Sequence, residues 1–199
     1  DCYECLGCLM ADADLALAGA DMAFQNYGGV RFDTLSVRPI LLKDLFSHDP
    51  FDNELVVFNM TGQEILDFLA VSFFTDHGPN YCAGCTYSFS VDDEGLMKDC
   101  KVTLADGKPM DLEKTYKVVM NSYRANGGGE LLTRGAGIPK DSLDSRVIWN
   151  TDLDQRHYLT EEIQKQGTIN PQPNHNWRFI PEDWVKPALE RDRKQLFGK

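Results

Sequence analysis

Two hydrophobic rhythms run along the chain, one near 3.6 residues and one of two, and their change-overs mark the predicted elements. Over 6–18, apolar residues recur at helical spacing among good helix formers, which predicts a helix of about three turns. A short buried strand follows at 21–24 and runs into a polar, glycine-rich loop. Residues 41–46 read as a short helix, and Pro50 stops it because its ring removes a backbone donor. Leu55, Val56, Val57, Phe58, Asn59 and Met60 form a β-branched and aromatic run, a strand by composition. Thr61 then stands as an N-cap with Glu64 three residues on, a capping box heading a helix to about Phe73. Strands are predicted over 86–91 and 98–104, the second turning at Ala105, Asp106 and Gly107 into a hairpin. Residues 114–121 read as a further strand, and 160–166 as a helix with Gly167 at its end. Beyond Pro181, Trp184, Val185, Ala188, Leu189 and Leu196 interleave with charges, as in an amphipathic terminal helix that packs on its own domain or docks a partner.

The order mixes strands and helices without a regular βαβ beat. The expected class is therefore α/β in the mixed α+β sense: mixed β-sheets flanked by helices, not a doubly wound parallel sheet. At 199 residues the chain fits one core, expected over 1–180, with a helical extension over 181–199. Hydrophobic residues make up 42% of the sequence, yet no run is long enough to predict a membrane-crossing helix. Residues 1–8 lack the basic and apolar regions of a leader, so no signal peptide is expected among them, and one, if it exists, lies upstream. The net charge of −11 argues against a nucleic-acid polymer as partner, though not against a mononucleotide, which local arginine placement decides.

Two glycine clusters carry candidate chemistry. The first is Gln25-Asn26-Tyr27-Gly28-Gly29-Val30-Arg31 and the second Asn121-Ser122-Tyr123-Arg124-Ala125-Asn126-Gly127-Gly128-Gly129. Glycine lets backbone approach a ligand closely. Asn26 brings amide donors and an acceptor, Arg31 a forked permanent cation, and Tyr123 a ring that can stack on a planar base. The four histidines, His48, His77, His157 and His175, are scattered without ligand-like pairing, so no catalytic metal set can be assembled from them. Cys2, Cys5 and Cys8 are spaced C-x2-C-x2-C, and Cys82 and Cys85 form C-x2-C; Cys100 stands apart. Such spacing suits a structural zinc or iron–sulfur centre, disulfides, or free thiols, and the sequence leaves the three open.

The motifs resemble one family in order as well as in content. Glu4, Leu6-Gly7, Met10-Ala11-Asp12-Ala13, the first glycine cluster, Lys43-Asp44-Leu45-Phe46, Pro50-Phe51-Asp52-Asn53-Glu54 and Met60-Thr61-Gly62-Gln63-Glu64-Ile65-Leu66 resemble the C-terminal domain of the 5′-nucleotidases. That group includes UDP-sugar hydrolases and 2′,3′-cyclic phosphodiesterases. The resemblance continues through Asp106-Gly107-Lys108-Pro109-Met110-Asp111, Lys114 to Asn121 and the second cluster, and ends near Gly167-Thr168-Ile169-Asn170-Pro171.

The resemblance implies a nucleoside- or nucleotide-recognition domain of a hydrolase in nucleotide catabolism. It would work with a metallophosphoesterase domain, fused upstream or on a separate chain, that holds the two divalent metals. This chain alone is then expected to be inactive, without a cofactor of its own. A bacterial periplasmic, cell-surface or secreted location is implied. Asn26 and Arg31 match the family's Asn-Gly-Gly-Gly-Ile-Arg loop, and Tyr123 matches the phenylalanine of its Asn-Phe-x-Ala-x-Gly-Gly-Asp loop. Asn126 belongs to that second loop. The family's acid after the glycine pair is replaced by Gly129, with Glu130 one position on. Tyr81 occupies the region of the second stacking ring. The alternative is a module that holds a metal or a redox centre on Cys2, Cys5, Cys8, Cys82 and Cys85 and has no nucleotide site.

Overall fold

In the computed structural model the described residues are 5–31, 38–75 and 79–198, without the side chains of Cys5 and of residues 188, 189, 192, 193, 196 and 197. The elements are α1 (Cys5–Ala18), β1 (Met22–Gln25), α2 (Leu42–His48), β2 (Glu54–Thr61), α3 (Gly62–Ser72), β3 (Tyr81–Ala83), β4 (Cys85–Val91), β5 (Met97–Leu104), β6 (Thr115–Asn121), α4 (Ser122–Ala125), α5 (Leu143–Arg146), β7 (Val147–Asp154), α6 (Gln155–Gln166), β8 (Trp177–Ile180) and α7 (Lys186–Phe197). A five-stranded sheet has the order β3-β1-β6-β2-β7 and a three-stranded sheet the order β5-β4-β8. Both are mixed. β1 runs parallel to β6, and β4 parallel to β8, while the other pairs are antiparallel. The α/β class with mixed sheets flanked by helices is therefore what forms.

α3 joins the two sheets. Ile65, Phe68 and Leu69 are fully buried among Phe24, Phe58 and Val118 of the first sheet and Tyr87, Phe89 and Val102 of the second. Burying a side chain of that size contributes about 1.5–3 kcal/mol, so this layer holds the sheets together. The helix starts where the capping box placed it. Thr61 Oγ1 accepts from the Glu64 N–H at 3.2 Å, and Glu64 Oε2 accepts from the Thr61 N–H at 2.8 Å. The Glu64 carboxylate also takes a two-pronged contact from Arg146, at 2.9 and 3.1 Å, which ties α5 to the same corner. On the far face of the first sheet, α1 packs on β1 and β3, with Cys8 and Ala11 buried against Ala23, Tyr81 and Val119.

Three strands were not expected. β7 carries Asn150, Asp152 and Asp154 among its apolar residues and reads as a loop, yet it pairs with β2 through Val56–Asn150 and Val57–Trp149. It forms one edge of its sheet, with Ile148, Trp149 and Leu153 exposed. β8 emerges from the Pro171–Asn176 stretch and pairs with β4 only through sequence-distant contacts. β3 is three residues long. α6 starts at Gln155 rather than near 160, because Asp154 caps it by accepting from the His157 N–H at 3.2 Å. The turn at 105–107 closes through Leu104 N–H to Lys108 O at 2.8 Å and Met110 N–H to Val102 O at 3.1 Å, but leaves only a Thr103–Pro109 bridge instead of a second full strand.

The tail begins with a tight turn at Glu182–Val185 and continues into α7. Trp184 meets the rings of Phe179 at 5.0 Å and Phe73 at 6.4 Å in tilted arrangements, so the turn rests on the aromatic layer around β8. The side chains of Ala188, Leu189 and Leu196 lie outside the described residues.

Candidate functional site

The two glycine clusters meet because β1 and β6 are parallel neighbours. The register pairs Met22 with Val118 and Ala23 with Val119, so both strands end at one edge of the sheet. Asn26 follows β1 and Asn121 closes β6. The Asn121 Nδ2 donates to Asn26 Oδ1 at 2.5 Å, and both side chains are buried. Asn121 also caps α4 by accepting from the Arg124 N–H at 3.0 Å. Asn53, on the approach to β2, accepts from the Tyr123 N–H at 3.2 Å and the Ser122 hydroxyl at 3.3 Å.

Those contacts present Tyr123 at the surface, 48% exposed. The Cδ2–Cε2 side of its ring lies against the backbone of Gly128, where a Cβ would collide with the ring and with the Tyr123 carbonyl. Gly127 and Gly129 have φ of 88° and 70°, in the left-handed region that glycine adopts without steric cost. Beneath the loop lies Arg124, buried. Its Nη1 donates to Gly128 O at 2.8 Å, its Nε has no partner, and its guanidinium sits 5.8 Å from the Tyr123 ring centre. Burial lowers its pKa to about 10, which still leaves it cationic at neutral pH.

Asn126 is exposed and its backbone N–H bonds to Ser122 O at 2.9 Å. Glu130 is also exposed, holds a left-handed φ of 57°, and pairs with Arg134 at 2.9 Å. Arg31 is exposed and lies over the half-open ring of Phe51 at 5.3 Å, its backbone tied to His48 O at 2.8 Å. The Phe51 loop is in turn fixed by buried Arg156, which donates to the carbonyls of Asp49, at 2.9 Å, and Phe51 and to the Asp52 carboxylate.

Tyr81 is placed differently from the expectation of an open stacking ring. It is 4% exposed, its ring packs under the backbone of Gly7, and its remaining face is stacked by Tyr27 at 5.6 Å. The physical reason is its strand: β3 lies beneath α1, so its side chain enters the packed layer, and Tyr27 is the ring that faces solvent. A different open ring lies beside the second glycine loop. Phe74 is 63% exposed and, with Val71, Thr75, Gly129, Glu130, Leu131 and Arg134, lines a cleft of about 530 Å³. Its signal was in the sequence. Of two adjacent phenylalanines at the end of α3, only Phe73 turns into the aromatic layer, where it meets Phe89 at 5.4 Å.

Cys82, Cys85 and Cys100 are buried free thiols, and Cys8 is buried as well. Cys2 and the side chain of Cys5 lie outside the described residues, as does His77. Among the described residues no group of three or more His, Cys, Asp or Glu side chains converges as a metal site. The loops carry exposed aromatic rings, amides and a guanidinium group: Tyr27, Tyr123, Asn126 and Arg31.

A family model for the 5′-nucleotidase C-terminal domain matches residues 2–134. The chain belongs to the 5′-nucleotidase C-terminal domain family. Among its relatives, the UshA protein of Yersinia enterocolitica is 33% identical over 165 residues, which cover 81% of this chain and 27% of that protein. A 5′-nucleotidase of Vibrio vulnificus is 34% identical over 167 residues, covering 83% of this chain and 28% of the relative. The crystal structure of a 5′-nucleotidase precursor from Thermus thermophilus superposes with a TM-score of 0.68 and 25% identity, over 88% of this chain and 35% of that one. The chain thus spans little more than a quarter of the length of the relatives it matches in sequence. In this family member, both glycine loops converge at one sheet edge, whereas Cys8, Cys82 and Cys85 sit inside the packed layers. Among the described residues no helix is long and apolar enough to cross a membrane.

Proposed function

We propose that this domain recognises the nucleoside part of a nucleotide for a 5′-nucleotidase whose metal-bearing phosphoesterase unit is supplied by another part of a longer chain or by a separate one. The observation that carries the reading is the Asn26–Asn121 bond, which joins two loops ninety-five positions apart beside an exposed ring. Tyr123 stacks on the base, and Phe74 or Tyr27 takes the second face in place of buried Tyr81. Asn126 and Glu130 reach polar edges of the base or sugar, and Arg31 lies where it can meet an anionic group. The family membership and the relatives named as 5′-nucleotidases support hydrolysis of nucleotides by the assembled enzyme; a periplasmic or cell-surface setting belongs to the same proposal.

The isolated domain is expected to hydrolyse neither AMP nor a UDP-sugar with added divalent metal. Its affinity for nucleosides and nucleotides is expected in the high-micromolar to millimolar range, since one stacked base contributes only about 1–3 kcal/mol. Titration of the chain with AMP, uridine and adenosine, followed by amide and ring NMR shifts, tests this. Saturable shifts at Tyr123, lost in Tyr123→Ala, are expected. The absence of saturable binding by all three ligands at millimolar concentration overturns the reading.

A further inference from the structure

Cys82 lies in the edge strand of one sheet and Cys85 begins the first strand of the other. β3 belongs to the five-stranded sheet, pairing Cys82 with Phe24, and β4 to the three-stranded sheet, pairing Cys85 with Leu104. Only Ala83 and Gly84 separate them. Gly84 holds a φ of +78° with no room for a Cβ against the Asp21 carbonyl, so the chain doubles back sharply. Both cysteines consequently enter the same core cluster. The Cys82 thiol lies 3.4 Å from the Cys85 carbonyl oxygen, to which it donates. The Cys85 thiol, as hydrogen-bond partner, is the largest cause of the rise in the Cys82 pKa; burial adds to it. A second tie reaches the same residue from the other end of the chain. The side chains of Asn174 and Asn176 donate to the Cys82 carbonyl at 2.9 and 2.8 Å, just before β8.

We propose that Cys82 and Cys85 are a dithiol–disulfide pair whose oxidation covalently fastens the corner between the two sheets. The oxidant is a disulfide-bearing thiol partner, either glutathione disulfide or a thiol–disulfide oxidoreductase. One cysteine thiolate attacks a sulfur of that disulfide and expels the first thiolate, leaving a mixed disulfide. The second cysteine then attacks its neighbour's sulfur and expels the other thiolate. Two cysteine protons end on the two departing thiols, and the oxidant's disulfide is reduced as the new one forms. Both sulfurs are buried and inert once the fold is complete. The exchange therefore takes place before the 174–180 segment closes over Cys82, or when that segment lifts. Cys82 is followed by no other thiol at comparable spacing, and its neighbour Tyr81 carries Tyr27 on its ring, so the staple also steadies the turn after Asn26.

The test uses the full chain and needs no nucleotide. Protein refolded in glutathione buffers from fully reduced to fully oxidised is acid-quenched, denatured, alkylated and digested with trypsin. A single fragment, residues 44–98, holds Cys82 and Cys85 and no other cysteine. The expected result is loss of two hydrogens and of both alkyl groups from that fragment, with a single midpoint along the buffer series. Cys85→Ser is expected to leave Cys82 alkylated or glutathione-bound. Alkylation of both residues at every ratio, or a link from either one to Cys8 or Cys100, overturns the proposal, and this mapping on the unaltered chain decides even if the variant does not fold.

Discussion

Asn121 donates its side-chain amide to Asn26 and accepts, through its carbonyl oxygen, the Arg124 N–H, so one buried side chain fastens both glycine loops. Replacing Asn121 by Ala leaves Asn26 Oδ1 and the start of α4 without partners in a dry site. A loss of about 1–3 kcal/mol is expected, read as a Tm drop of several degrees. Nucleoside binding should weaken as well. Asn121→Asp keeps the acceptor but removes the donor, and is expected to retain the α4 cap while loosening the first loop, visible as faster amide exchange at Tyr27–Gly29 only.

The ring of Tyr123 reports on Gly128. A Gly128→Ala substitution puts a methyl group against that ring. Binding of adenosine is expected to fall about tenfold or more, and the Tm to drop as well, because the methyl group also meets the Tyr123 carbonyl. Gly107→Ala serves as the contrasting change. Gly107 has φ of +82° and open space around it, so that variant should lose about 1 kcal/mol in stability and no affinity. Equal affinity for the Gly128→Ala and parent proteins removes Tyr123 from the site.

Arg156 is the support under Phe51. Arg156→Lys keeps the charge but loses the planar fork that reaches two carbonyls and the Asp52 carboxylate. A loss of about 2–4 kcal/mol in urea unfolding is expected, with Arg31 released from Phe51. A loss under 0.5 kcal/mol contradicts this assignment.

Acidity should act on the pocket of buried carboxyls between α1, the end of α2 and α6. Burial pushes Asp49 up to about 6 from 3.8; burial, and then the charge of Asp49, raises Asp14 as well. The folded protein therefore binds more protons than the unfolded chain between roughly pH 4 and 6, and stability falls as pH rises through that window. The Asp49 contribution is about 2–3 kcal/mol. Asp44, held near 2 by its hydrogen bonds from Arg38, acts in the opposite sense and favours folding above pH 4. Asp49→Asn should flatten the fall between pH 4 and 6 in equilibrium unfolding and raise stability at pH 8. An unchanged slope contradicts the shift.

The capping box at Thr61 and Glu64 and the helix of 6–18 were legible because each is set by residues within a few positions of one another. β7 and β8 were not. Their pairing depends on partners about a hundred positions away, and residues such as Asn150 and Asp152 carry no strand preference of their own. The same division runs through the site. Asn26, Arg31 and Tyr123 stand out in glycine-rich segments, whereas the contacts of Asn53, Arg124 and Phe74 depend on how β6, α4 and α3 come together. Tyr81 shows the limit most plainly: a tyrosine in a short strand looks the same in sequence whether it faces solvent or the underside of a helix.

The exposed edge strand β7 bears on how the protein behaves in concentrated solution. Ile148, Trp149 and Leu153 make it attractive to another strand, since among the described residues no strand pairs with its outer side. Asp152 and Asp154 interrupt that attraction, because a second copy laid alongside brings carboxylates together. Colloidal stability at this edge therefore rests on two negative charges. Replacing Asp152 with Val turns a tolerated edge into a seed for fibrous assembly.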